Sequence, residues 1–167
     1  MKVVHVVHAY YPARGGTEFL FQQVSEKLVA DYGDQVTVLT TNGYNPGFFV
    51  DPEQPSIPIK DHEEINGVRV RRFPVYNRLA ARIVRLQSRA FRGNWPFNDV
   101  VRTLYNGPIS RQMFAAVRQA EADVLVASAF PLLHMYYAAL GKRSNRIPLL
   151  YHGALHPEDS WGYDRPM

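Results

Sequence analysis

A chain of 167 residues is long enough for one domain with a sizeable core and too short for two full ones. With 46% hydrophobic and 20% charged residues, it has the balance of a soluble globular protein and not of a disordered one. The absence of cysteine excludes disulfides and thiolate metal centres, and a net charge of +4 is too small to define a partner by itself.

In chain order, the opening run VVHVVHAYY is short, is interrupted by His5 and His8, and lacks a small-residue cleavage site, so it does not read as a secretory leader. Residues 2–10, KVVHVVHAY, instead predict a buried parallel strand with both histidines in or near the core. A helix is expected over 17–32, with Leu20, Val24 and Leu28 on its apolar face, Thr17 as its cap and Gly33 as its stop. QVTVLTT (35–41) predicts the second strand. Residues 42–65 are rich in Gly, Pro and Asn without a steady period, which predicts a long loop.

NGVRVRRFPV (66–75) predicts a third strand at a half-exposed edge, since apolar residues alternate with arginines. Helical patterns follow at 78–92 and 98–120, then a strand at 123–129, a helix at 131–143 and a strand at 147–154. The uncharged run Val124–Leu140 approaches transmembrane length, but Ser128, Pro131 and His134 break it. A strand, a turn and a helix opening at Pro131 account for it. The tail from Leu155 is irregular. Strands alternating with helices predict an α/β domain with a mostly parallel sheet and helices on both faces. Ligands of such sheets bind outside the carboxyl ends of the strands, here the loops 11–17, 41–47, 128–131 and 152–161.

Three features carry chemistry. Gly15–Gly16 lies between a strand and a helix without the G-x-G-x-x-G of a dinucleotide site or the G-K-[ST] of a P-loop. The pair either lets an anion such as phosphate approach free helix N–H groups or merely permits a tight turn. His152, directly after the fifth strand, either faces the same cleft as acid, base or hydrogen-bonding group or is a histidine satisfied at a strand end. Arg78, Arg82, Arg85, Arg89 and Arg92 are spaced 4, 3, 4, 3, within a segment (69–92) of eight arginines and no acid. On a helix they form one cationic stripe, followed by the aromatics Phe91, Trp95 and Phe97. The stripe fits a membrane surface or anionic ligand, or else arginines in water on a helix packed by its leucines. No nucleic-acid module accompanies it. His62 reads as a solvated loop residue, His134 and His156 have no metal-site spacing, and Ser128 lacks the elbow of a serine nucleophile.

In order along the chain, KVVHVVHAYYPARGGTEFLFQQVSEKLVADYGDQVTVLTT, NGVRVRRFPV and ADVLVASAFPLLHMYYAALGKRSNRIPLLYHGA resemble the N-terminal domain of retaining glycosyltransferases of family 4. The resemblance implies one Rossmann-like, doubly wound half of a two-domain GT-B fold, receiving the acceptor while a C-terminal domain binds a nucleotide-diphosphate sugar. It implies that Gly15 and Gly16 approach the donor diphosphate, that Glu18 is the acidic position after them, and that His152 lines the cleft near the transferred sugar. Tyr11, Arg14, Ser128 and Gly153 fall in the same loops and are expected to complete the cleft. No metal or cofactor is expected beyond the sugar nucleotide, and the expected location is cytoplasmic with peripheral contact at a membrane. An E-x7-E motif of the second domain is not found, so the chain is expected to be a domain of a longer enzyme or one subunit of a split transferase, inactive alone. A non-catalytic docking or acceptor-binding subunit, and a stand-alone Rossmann-type oxidoreductase domain, are the rival readings.

Overall fold

The β-branched opening becomes the middle of the sheet in a computed structural model that describes residues 1–96, 98–130 and 132–153. The strands are β1 (Lys2–Val6), β2 (Gln35–Thr41), β3 (Glu63–Ile65), β4 (Val68–Phe73), β5 (Val124–Ser128) and β6 (Leu149–His152). The helices are α1 (Gly16–Tyr32), α2 (Ala80–Arg92), α3 (Asn98–Asn106), α4 (Arg111–Arg118) and α5 (Leu133–Asn145). The sheet runs in the order β3-β4-β2-β1-β5-β6, parallel throughout except for β3. This is an α/β, Rossmann-like architecture.

Alternation along β1 divides the core between the two faces of the sheet. Val3 and Val7 pack with Val36, Val38, Val68, Val70 and Phe21 of α1. Val4 and Val6 pack with Leu39, Leu125, Ala127, Met113 and Val117 of α4, and Ala138 of α5. Helix α1 ends as expected at Gly33, whose φ of 66° lets the chain turn back while its N–H bonds to the Val29 carbonyl.

Several expectations change. The first strand is shorter because the chain leaves the ladder after the Val7 N–H bonds to Leu39 O; Thr41 then holds the His8 carbonyl through its backbone N–H and Oγ1. On α1 the buried residues are Glu18, Phe21 and Ser25, while Leu20 and Val24 are exposed. Polar partners, His5 on β1 for Ser25 and His8 just beyond it for Glu18, lie against that face, so an apolar count could not find it. The helix begins at Gly15–Gly16, so Thr17 lies inside it and is not its cap.

The third strand is not at the edge. The segment read as loop supplies β3, which pairs outside β4, and a 3-10 turn at Pro46–Phe49. The helix predicted over 98–120 divides into α3 and α4 at Gly107–Pro108, where Gly107 has φ 54° and Ser110 caps α4 by accepting the Met113 N–H. Helix α5 starts at Leu133. Phe97, Pro131, the last residue of the predicted strand 147–154, the tail and His156 lie outside the described residues. Among those described, no helix is long and apolar enough to cross a membrane.

Candidate functional site

Strand order reverses its direction of growth at β1, with β2 on one side and β5 on the other, which opens a crevice at the carboxyl ends of β1 and β5. The residues that bear chemistry converge there. On the chain leaving β1, the His8 Nε2–H donates to Glu18 Oε1 at 2.8 Å, with both side chains almost wholly buried. Burial alone would raise the Glu18 carboxyl. The hydrogen bond and electrostatic attraction of His8, with Glu18's own backbone N–H, outweigh it and hold the group below its ordinary value.

That carboxylate explains one of the two glycines. A Cβ at Gly15 would lie 2.2 Å from Glu18 Oε2, whereas a Cβ at Gly16 would meet nothing within 4 Å. Glu18 is the third residue of α1, so its carboxylate folds back over the helix N-terminus as a glutamate does in a capping box. Gly16 faces open space. The loop before the turn is held from β4: Arg72, itself buried, makes a two-pronged pair with Glu63 (2.8 and 2.9 Å) and donates to the Tyr11 carbonyl.

Across the crevice, the hydroxyl of Ser128 at the end of β5 lies 3.0 Å from His152 Nδ1 and 3.1 Å from the His152 carbonyl. Ser128 is fully buried and its own carbonyl accepts from His134 Nε2 at 2.5 Å. Burial first, then the neighbouring His8, push His134 down to about 3 against that contact. The ring centroids of His8 and His134 are 5.9 Å apart, which brings the two sides of the crevice into contact. Phe21 of α1 meets the His152 ring edge-on, with centroids 6.0 Å apart. His5, deeper in β1, hydrogen-bonds Ser25 at 2.8 Å and is pushed down to about 4 by burial.

Of the residues expected at the site, Glu18, Ser128 and His152 join this network, and Gly15–Gly16 form its rim. Tyr11 and Arg14 are exposed on the β1–α1 loop, and Gly153 is exposed just after β6. His8, His134 and Arg72 belong to the site's framework and are not legible as such from residue type: each finds its partner only through the fold. Among the described residues no group of acidic and histidine side chains is placed to hold a metal ion.

The five arginines of the stripe are all exposed: Arg78 precedes α2, and Arg82, Arg85, Arg89 and Arg92 lie on the side of α2 opposite its buried Ala80 and Ala90. An apolar groove of about 610 Å³, lined by Tyr76, Leu79, Ile83 and Ile109 with Ser110, Arg111 and Gln112, includes none of the five stripe arginines. A groove of about 530 Å³ lies at the other end of the strands, against Lys2, Asp34 and Gln35, away from this chemistry.

Comparison with curated proteins returns no match. Residues 15–166 match the glycosyl transferase 4-like domain, a span that takes in the glycine turn, Ser128 and His152 together, and the chain belongs to that family.

Proposed function

We propose that this domain forms the acceptor side of a retaining glycosyltransferase that uses a nucleotide-diphosphate sugar. The observation that carries the reading is the contact between Phe21 and His152, which joins the helix begun by the glycine turn to the end of β6. The two features singled out by residue type therefore share one crevice. With Glu18 over Gly15, the approach left to the donor diphosphate is at Gly16, where free N–H groups of the helix N-terminus favour negative charge. His152 hydrogen-bonds the sugar and orients it. The partner surface is the enzyme's own C-terminal domain, and no metal or further cofactor takes part.

In the intact enzyme, His152→Ala is expected to lower kcat by roughly 100-fold or more, the range typical for loss of an orienting or acid–base group, with an unchanged melting temperature. Near-normal turnover would remove His152 from the reaction.

The arginine stripe favours a narrower form of the same reading, in which the acceptor is lipid-linked or otherwise anionic and α2 rests on a membrane. An exposed stripe of arginines along α2 suits that contact. Co-sedimentation with vesicles is expected to rise with anionic lipid and to be lost in Arg82→Glu/Arg85→Glu. Binding indifferent to lipid charge would count against it. The alternative, a non-catalytic docking or acceptor-binding subunit of a split transferase, would retain vesicle binding while His152→Ala left turnover of the assembled enzyme unchanged.

A further inference from the structure

The Ser128 hydroxyl stands within hydrogen-bond distance of two groups of the same residue, His152 Nδ1 and the His152 carbonyl oxygen. A hydroxyl has one proton to give and lone pairs with which to accept. The carbonyl can only accept, while Nδ1 can accept or donate. If the proton went to Nδ1, the hydroxyl and carbonyl oxygens would face each other at 3.1 Å as two acceptors, buried on the serine side. Only one arrangement makes both contacts hydrogen bonds: Ser128 donates to the carbonyl and the Nδ1–H of His152 donates to Ser128.

We infer that Ser128 is a positioning residue that fixes His152 in the Nδ1–H tautomer, so that the imidazole presents a bare Nε2 to the crevice. This is the reverse of the tautomer that imidazole side chains favour in water. His152 then offers a lone pair, and the ligand group it recognises is a donor, a hydroxyl such as those of a sugar or alcohol and not a carbonyl or phosphate oxygen.

The serine is itself held firmly. Ala129, the next residue, is buried and has φ 75°, a left-handed conformation that is strained for a non-glycine residue. The fully buried His134 keeps this turn in place by donating Nε2–H to the Ser128 carbonyl. Strain of this kind persists where surrounding structure over-determines it, and here it aims the serine hydroxyl along the edge of β6.

Nitrogen-15 spectra of the full chain carrying labelled histidine, recorded at about pH 8, above the range in which an ordinary imidazole titrates, test the inference directly. His152 is assigned by the loss of its signals in His152→Gln. The expected result is a protonated Nδ1 and a pyridine-like Nε2 at His152. Ser128→Ala is expected to move the pair of shifts towards the Nε2–H pattern, and Ser128→Thr, which keeps the hydroxyl, to retain the wild-type one. A protonated Nε2 in the wild-type chain overturns the inference, whether or not the variants fold, as does a Ser128→Ala spectrum identical to wild type. The consequence for turnover rests on the glycosyl-transfer reading. There Ser128→Ala is expected to lower kcat while leaving KM near wild type. Full turnover in His152→Ala, with the Nδ1–H tautomer observed in the wild-type chain, would end that reading and leave the tautomer assignment standing.

Discussion

Gly15 and Gly16 are neighbours in sequence with opposite surroundings, and a single methyl group tells them apart. At Gly15 the methyl would land on the carboxylate that His8 holds. Gly15→Ala is therefore expected to displace Glu18, break its hydrogen bond with His8 and destabilise the fold by about 1–3 kcal/mol, in the range of an overpacked buried site. Gly16→Ala is expected to change stability by no more than about 0.5 kcal/mol, because nothing lies within 4 Å of the added atom. Urea titrations of both variants check this. A Gly16→Ala cost as large as that of Gly15→Ala would show that the turn is tight on both sides. Removing the carboxylate as well, in Gly15→Ala/Glu18→Ala, is expected to make the alanine less costly than it is beside Glu18.

At the scale of elements, β4 does more than add a strand. Its Arg72 holds both the edge strand β3 and the loop that leads to the glycine turn. Arg72→Met leaves Glu63 partly buried without its cation and frees the Tyr11 carbonyl, so a loss of about 3–5 kcal/mol is expected. Amide exchange should accelerate across the loop between β1 and α1. A loss below about 1 kcal/mol with unchanged exchange would assign the loop's order to something else. The same element shows what the sequence could and could not disclose. Alternating apolar residues located β4 to within a few residues, because a strand writes its two faces into a period of 2. Its place inside the sheet was hidden, since that depends on β3, three residues of no particular pattern. Likewise Gly15, Gly16 and His152 stand out by type and position next to strand ends, and Glu18 through the family resemblance. Their partners His8 and His134 do not, because a buried histidine and a functional one look alike until the fold brings them together.

Across the whole molecule, the buried histidines His5 and His134 act with Glu18 in one direction on the acid side. Burial keeps His5 and His134 neutral, at about 4 and 3 against an ordinary value of 6.5. Below 6.5 the unfolded chain takes up protons that these folded rings refuse, so the stability they contribute is complete above 6.5 and falls as pH drops towards 4 and 3. Glu18 adds to the same trend. Its lowered carboxyl contributes stability above its ordinary value, and that contribution is lost as acid protonates the folded group. Thermal melts are expected to show stability falling steadily from about pH 6.5 to pH 4, by several kcal/mol in total for shifts of this size. A flat profile over that range would mean that water reaches these histidines. The strand order has a consequence of another kind, for the chain as it is being made. One side of β1 pairs with β2 soon after it emerges, but its other side waits for β5, in the register Val3 with Val124. At about 5–20 residues per second, the stretch between β4 and β5 takes roughly 3–10 s to synthesise. For that interval the future centre of the sheet is an open edge, and the two walls of the crevice have yet to meet.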